Sequence, residues 1–149
     1  HVLVDTAGLL LKATIHPANV HDREGGRLLL GGAHKQLPRL KRVWADQGYT
    51  GELRRWADAE QGIELEVVYP WRRQIKRYMP ETYQELGLAS RFNVLPRRWV
   101  VERTFAWLGK QRRFSKDYER LPETSEALLY LGMSRLMLKR LSRATQLYS

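Results

Sequence analysis

Cysteine is absent from this chain of 149 residues, which excludes disulfide bonds and zinc sites built on thiolate ligands. Long hydrophobic runs are absent as well, since the apolar stretch of residues 127–133 is interrupted by Gly132 and soon followed by Arg135. A stretch this short does not span a bilayer, and the first residues lack the charged and apolar regions of a signal peptide. These absences fit a protein of a reducing compartment with no membrane partner.

Acidic residues are scarce relative to basic ones. The sequence has 26 Lys and Arg residues against 16 Asp and Glu residues, which gives a formal net charge of +10. Because the basic residues cluster with aromatic ones, this excess favours a polyanion, and above all nucleic acid, as the partner. Hydrophobic residues make up 43% of the chain, which argues against disorder and is typical of one folded domain.

Strand-like and helix-like segments alternate along the chain, which predicts an α/β fold. The first sixteen residues indicate a β-hairpin, because Asp5 and Gly8 supply a turn between two apolar segments. Asp22 is the predicted cap of the first helix, and the leucine-rich last helix is predicted to pack in the core. The further strands are predicted at residues 40–45 and 63–69, and the helices at 22–30, 52–60, 96–113 and 125–141.

Two carboxylates stand out by their positions. Asp46 follows a buried strand, and in open α/β sheets the carboxyl ends of strands form sites. Glu102 is predicted at the margin of an apolar helical stripe formed by Val101, Phe105 and Leu108. Each residue also has a non-catalytic interpretation. Asp46 would be an ordinary turn residue, and Glu102 would form a surface ion pair with Arg98, four residues earlier. In a basic chain, the two carboxylates together predict a divalent-metal site that acts on phosphate.

Two further groups of residues allow more than one interpretation. His16, His21 and Asp22 have metal-binding side chains, but loop and capping roles are favoured for them. Residues 71–94 are predicted to form an irregular, partly helical insertion. Its basic and aromatic start, which includes Arg72 and Arg73, suits either stacking on an unpaired base or an amphipathic surface helix.

Two sequence blocks resemble motifs of the DDE transposases of bacterial insertion sequences. Residues 44–51 (WADQGYTG) resemble the second-Asp motif of this family, and residues 95–108 (LPRRWVVERTFAWL) resemble its Glu motif. Residues 112–120 and the last helix resemble the family's segments beyond the Glu motif, so the similarity covers essentially the whole chain. The chain departs from the related Tyr-(2)-Arg-(3)-Glu-(6)-Lys pattern at Leu95 and Gly109, and Lys110 is adjacent to the Lys position.

The resemblance implies an RNase H-like mixed sheet flanked by helices, with residues 1–149 as part of the catalytic domain. It implies DNA strand cleavage and strand transfer at insertion-sequence ends, with Asp46 and Glu102 as catalytic residues and metal ligands. In this chemistry three carboxylates hold two divalent ions, Mg²⁺ or Mn²⁺. The implied partner is double-stranded DNA, as transposon ends and target, in the bacterial cytoplasm and nucleoid. The predicted DNA contacts are Arg97, Arg98, Arg103, Lys110, Arg112 and Arg113, together with Arg72 and Arg73.

The first aspartate of the catalytic triad is expected upstream of His1, because Asp5 lies in a hairpin turn rather than on the first strand. Asp5 itself is the alternative. We therefore expect an N-terminally truncated domain that is inactive by itself, while the parent protein cuts and joins DNA. A non-catalytic DNA-binding remnant of a transposase is the competing interpretation, and a host nuclease on the same fold is a third. The sequence leaves the oligomeric state open, including a homodimer in a DNA complex.

Overall fold

The computed structural model of the chain describes residues 1–68, 76–79, 81, 98–116 and 118–146. Strands and helices alternate in these residues as predicted, so the fold class is mixed α/β. The strands are β1 (Val2–Val4), β2 (Leu10–Ala13), β3 (Arg42–Ala45) and β4 (Glu64–Val67). The helices are α1 (Asp22–Leu30), α2 (Ala33–Gln36), α3 (Glu52–Gln61), α4 (Arg98–Gly109) and α5 (Pro122–Gln146), and 3₁₀ turns cover Gln47–Tyr49 and Arg112–Phe114.

Strands β1 and β2 form the predicted hairpin. They pair antiparallel, with an irregularity in the register after Leu3. Asp5 closes the turn, because its carboxylate accepts the backbone N–H groups of Ala7 and Leu9, each at 2.8 Å. Gly8 follows at a φ of +80°, a conformation that residues with a side chain rarely adopt. The turn chemistry predicted for Asp5 and Gly8 is thereby confirmed.

Strands β3 and β4 form a parallel pair, in register from Arg42 opposite Glu64 to Ala45 opposite Val67. Helix α3 connects them, as a parallel crossover requires. The Arg42 guanidinium lies 2.8 Å from the Glu64 carboxylate across the pair. The main core joins this pair to the hairpin and to α1 and α3, and its buried members are Leu3, Leu29, Leu30, Leu53, Ala57 and Leu65. Asp46, just beyond the end of β3, stays exposed at the surface.

Helix α4 packs on the hairpin through Val100, Thr104 and Leu108, which are about one turn apart and buried. The Thr104 hydroxyl donates a hydrogen bond to the Gly8 carbonyl at 2.7 Å, which joins the helix to the hairpin turn. The predicted apolar stripe is wrong at Phe105, which is 52% exposed. Thr104 takes the buried position because its hydroxyl is paired with a backbone carbonyl, and a paired polar group can be buried without a large penalty.

Helix α5 is longer than predicted and lies on the surface. It covers the outer edge of β2 and the residues just after that strand. There, the Tyr130 hydroxyl accepts the Ala13 N–H at 2.9 Å and the Glu126 carboxylate accepts the Ile15 N–H at 2.7 Å. The prediction that this helix packs in the core is wrong, because only one side is covered and Leu131 on another side is 67% exposed. Among the described helices, none is both long and apolar enough to cross a membrane.

Two other predictions concern segment boundaries. Helix α1 begins at Asp22, and its N-cap is His21, which makes no side-chain capping hydrogen bond. The predicted Asp22 cap is therefore wrong, and that carboxylate approaches Gly48 instead. The irregular insertion predicted for residues 71–94 lies outside the described residues, apart from residues 76–79 and Glu81.

Candidate metal and DNA site

Asp46 lies at the carboxyl end of β3, where the backbone leaves the sheet and enters the 3₁₀ turn Gln47–Tyr49. Its backbone is extended, with φ −83° and ψ −175°, and its carboxylate accepts the Gly48 N–H at 3.0 Å. This hydrogen bond orients the side chain at the N-cap of the turn, and the residue is exposed to solvent. Asp46 therefore presents an oriented carboxylate at the end of the sheet where sites form in α/β folds.

Asp22 lies beside the turn that Asp46 caps. A β-carbon built on Gly48 would lie 2.4 Å from Asp22 Oδ2, so the first turn of α1 touches this glycine. A side chain at position 48 would displace the Asp22 carboxylate, and glycine suits such a close approach. The sequence pattern around Asp22 predicted a helix cap and gave no indication of this proximity. The one sequence feature that indicates a close contact here is Gly48, because a glycine two residues after Asp46 leaves room for a neighbouring side chain.

Tyr49 responds to the charge of both aspartates. The pKa of its hydroxyl is raised from 10.0 to about 12, first by burial and then by the negative charges of Asp22 and Asp46. The same hydroxyl forms a hydrogen bond with His1 Nδ1. The turn therefore places two carboxylates near a phenol that stays protonated at neutral pH.

Glu102 lies on the solvent side of α4. It is exposed and is two residues from both Val100 and Thr104, which places it about 200° around the helix from the buried side. The predicted position at the margin of the buried stripe is therefore wrong. Trp99 and Phe105 lie near Glu102 on this side and are 47% and 52% exposed. Exposed aromatic side chains around a carboxylate are typical of an interaction surface.

Arg103 belongs to a series of stacked rings and guanidinium groups. Its Cζ atom lies 4.4 Å from the Trp99 ring centre and 4.8 Å from the Trp107 ring centre, and Arg140 of α5 stacks on Trp107 at 4.0 Å. Residues four apart share one helix face, so these cation–π contacts run along α4 and connect it to α5. The Arg103 Nε atom is buried without a hydrogen-bond acceptor among the described residues. Arg103 thus packs the two helices together, in addition to the DNA contact predicted for it.

Three of the other predicted DNA contacts lie just beyond the end of α4. Lys110 and Arg112 are exposed to solvent. Arg113 is exposed as well, but it forms an ion pair with Glu119 and its Cζ atom lies 5.5 Å from the Tyr118 ring centre. The remaining predicted contacts fall outside the described residues: Arg72, Arg73, Arg97 and the side chain of Arg98.

The structure does not assemble a metal site from His16, His21 and Asp22. The His16 ring stacks on His1 with ring centres 4.6 Å apart, and its Nδ1 lies 2.9 Å from the Pro17 carbonyl oxygen. In the described ranges, no group of three or more His, Asp or Glu side chains is arranged to hold a metal ion.

The predicted proximity of Asp46 and Glu102 stays a prediction. The turn after Asp46 packs against α1, whereas α4, which bears Glu102, packs against β1 and α5.

Comparison with known proteins identifies the family. A family model described as the transposase DDE domain matches residues 1–137. The chain is 34% identical, over 157 residues, to the Burkholderia cepacia protein named as the transposase for insertion sequence element IS402. That alignment covers 98% of this chain and 65% of the relative, so the chain spans less than two-thirds of the relative's length. No solved structure matches the chain. Since the family model covers most of the chain, including Asp46 and Glu102, the chain belongs to the DDE transposases of insertion sequences.

Proposed function

We propose that this chain forms most of the catalytic domain of a DNA transposase that cuts and joins DNA at insertion-sequence ends. The observation that carries the proposal is the exposed Asp46 carboxylate, held by the Gly48 N–H at the carboxyl end of a parallel strand. The hairpin and the parallel pair are separate two-stranded sheets in the described residues. We propose that both belong to one RNase H-like mixed sheet flanked by helices.

The proposed cofactor is a divalent metal ion, Mg²⁺ or Mn²⁺, with Asp46 and Glu102 as ligands. The donor atoms fit, because carboxylate oxygens are the hard ligands that these ions prefer and both residues are exposed. Asp22 supplies a further carboxylate beside the Asp46 turn. A bound divalent ion would supply Lewis-acid stabilisation of a phosphate oxygen. The protein contributes the placement: β3 and the Gly48 N–H orient Asp46, and Thr104 anchors the helix that bears Glu102.

The proposed partner is double-stranded DNA, as transposon ends and target. The net charge of +10 supports this partner. Lys110 is exposed about two helical turns from Glu102, and Arg112 is exposed in the 3₁₀ turn that follows the helix. Basic side chains at this distance would neutralise phosphates close to the carboxylates. Such contacts position the DNA backbone and contain little sequence information, so they suit both transposon ends and variable target sites.

A non-catalytic DNA-binding remnant is the second candidate function, and the environment of Asp5 favours it over a triad that Asp5 completes. Asp5 is the alternative first aspartate of the triad, but its carboxylate is already bonded to the Ala7 and Leu9 N–H groups. A carboxylate used in this way holds a turn together, as the structural interpretation of Asp5 predicts. The two candidate functions share DNA binding and differ in strand cleavage.

The experiment that separates them is a strand-cleavage assay on the complete reading frame that contains this chain. The substrate is a duplex with insertion-sequence ends, in Mg²⁺ or Mn²⁺. Because Glu102→Gln removes a metal-binding charge with little change in shape, we expect cleavage to fall below detection while DNA binding is retained. Glu60→Gln, at an exposed position of α3, is the matched control. Cleavage that survives both Glu102→Gln and Asp46→Asn would overturn the assignment, and binding without any cleavage by the unaltered protein would favour the remnant.

A further inference from the structure

Helix α5 exposes a continuous stripe along the side that faces away from the core. Residues spaced alternately by three and four positions are all exposed there, and the stripe consists of Thr124, Ala127, Leu131, Ser134, Leu138 and Leu141. Gly132 and Met133, on the packed side of the helix, are buried. This spacing is the heptad pattern of paired helices. In a helix of 25 residues, which is about 37 Å long, the pattern extends over most of the length.

The stripe is unusually apolar for a surface that is exposed to water. Leu131, Leu138 and Leu141 are 67%, 66% and 64% exposed, and Tyr130 and Met137 beside them are each 40% exposed. A single exposed apolar residue is ordinary, whereas a row of them on one helix face marks an interaction surface. The burial that sequence analysis predicted for this helix is therefore available only through contact with another surface.

Small residues predominate in the first half of the stripe and leucines in the second half, with Leu131 and Ser134 reversing that order at the middle, and this distribution defines a direction of pairing. In an antiparallel pair of α5 helices centred between Leu131 and Ser134, each leucine faces a small residue of the other copy. The layers are Leu131 with Ser134, Leu138 with Ala127, and Leu141 with Thr124, each occurring twice. A parallel pair would instead place leucine on leucine and small residue on small residue, which leaves gaps in the layers of Thr124, Ala127 and Ser134.

Charge favours the same direction. Glu123 is exposed in the first turn of α5, whereas the second half of the helix has exposed Arg135, Lys139 and Arg143. Antiparallel pairing sets Glu123 of one copy beside the basic end of the other, and it also opposes the two helix dipoles. Parallel pairing would align two basic halves, and like charges at neighbouring positions are destabilising.

We propose that a second copy of this chain docks on the stripe, with α5 against α5 in antiparallel orientation about a twofold axis. The same patch is used by both copies, as in most soluble homodimers. The six stripe positions form six layers, and Tyr130 and Met137 widen the contact along one side. The contact requires no DNA, so it stands or falls independently of the proposed transposase function.

The first experiment measures the oligomeric state of the purified chain by analytical ultracentrifugation over a range of concentrations, without DNA or metal. We expect a concentration-dependent dimer. Leu138→Glu buries a charge in two inner layers of the contact and should raise the dimer dissociation constant more than about tenfold. Leu28→Glu, at a 55% exposed leucine of α1, is the matched control and should leave the dissociation constant unchanged. Circular dichroism checks that both variants fold.

The second experiment tests the direction of pairing by disulfide cross-linking, for which the cysteine-free chain is suited. Ala127→Cys mixed with Leu138→Cys should give a cross-linked heterodimer. Leu138→Cys alone should not cross-link, because the two positions would be 11 residues apart along the pair, about 16 Å, and a disulfide spans less than about 7 Å between Cα atoms. A monomer at all concentrations, or efficient cross-linking of Leu138→Cys to itself, would overturn the proposal. A complete reading frame that is monomeric while residues 1–149 dimerise would also overturn it, because another segment would then cover the stripe.

Discussion

Tyr49 connects the packing of the core to the charge of the candidate site. It packs against the core cluster, and its hydroxyl forms a hydrogen bond with His1 Nδ1. Burial and the negative charges of Asp22 and Asp46 raise the pKa of the hydroxyl from 10.0 to about 12. The unfolded chain titrates near 10.0, so folding favours the protonated phenol. The stability contributed by this group is therefore fully present below pH 10 and is lost as the pH rises toward 12.

Removing one of the two carboxylates should lower the pKa of Tyr49 without returning it to 10.0, because burial remains the largest cause of the shift. The change is Asp22→Asn. The pKa is obtained from the difference in ultraviolet titration between each protein and the same protein with Tyr49→Phe. Asp58→Asn on α3 is the matched control, since Asp58 is not among the groups that shift Tyr49. An unchanged pKa in Asp22→Asn would contradict the position of Asp22 beside the Asp46 turn.

At the scale of elements, the packing of the 3₁₀ turn Arg112–Phe114 against α5 depends on one glycine of that helix. A β-carbon at Gly132 would lie 2.6 Å from Phe114 Cε2, and the Gln111 side chain donates a hydrogen bond to the Gly132 carbonyl at 3.2 Å. Glycine within a helix costs about 1 kcal/mol relative to alanine. The close packing of the Phe114 ring on the helix backbone offsets this cost.

Gly132→Ala should therefore destabilise the chain, by about 1–3 kcal/mol, although alanine is the better helix former. Urea unfolding measures the change in the free energy of unfolding. In a Phe114→Ala background the clash is removed, and the same substitution should be neutral or stabilising by up to about 1 kcal/mol. Gly109→Ala in α4 is the control, because a β-carbon there meets no described atom within 4 Å. Equal effects of Gly132→Ala in both backgrounds would show that the ring does not pack on this glycine.

At the scale of the whole molecule, the net charge of +10 is the property on which the proposed DNA binding depends. A protein that neutralises several phosphates releases their counterions, so its affinity falls steeply as salt concentration rises. The exposed positions of Lys110 and Arg112, just beyond the helix of Glu102, make them the best-placed described residues for such contacts.

Affinity for duplex DNA should fall by orders of magnitude from low to physiological salt. Each lost phosphate contact lowers the slope of log K against log salt by about 0.9, so Lys110→Ala combined with Arg112→Ala should lower it by about 1.8. Fluorescence anisotropy with a labelled duplex measures the slope. Arg54→Ala combined with Arg55→Ala, on the exposed side of α3, removes the same charge and should change the slope much less. A flat titration, or equal effects of the two pairs, would contradict this interface.

Local sequence signals were enough to predict most elements and the family. The hairpin is predictable from Asp5 and Gly8 between apolar segments, because a side-chain bond to the backbone and a positive φ are local events. The strand before Asp46 is confirmed, since contiguous apolar residues that end at a turn are a local signal. Its predicted burial is wrong, because the four residues of β3 are exposed or only partly buried. The membership in the DDE transposases is confirmed as well, since long blocks of unusual residues identify a family without any knowledge of contacts.

Tertiary structure alone decided which faces are covered and which distant residues meet. Periodicity shows that α5 is apolar, but a 3.6-residue period does not specify how much surface the rest of the chain has to cover it, and Leu131 remains 67% exposed. Thr104 is buried because a carbonyl 96 residues away accepts its hydrogen bond, and Asp22 approaches the Asp46 turn because Gly48 leaves room for it. Such contacts depend on the folded path of the chain, and no local pattern of residues encodes that path.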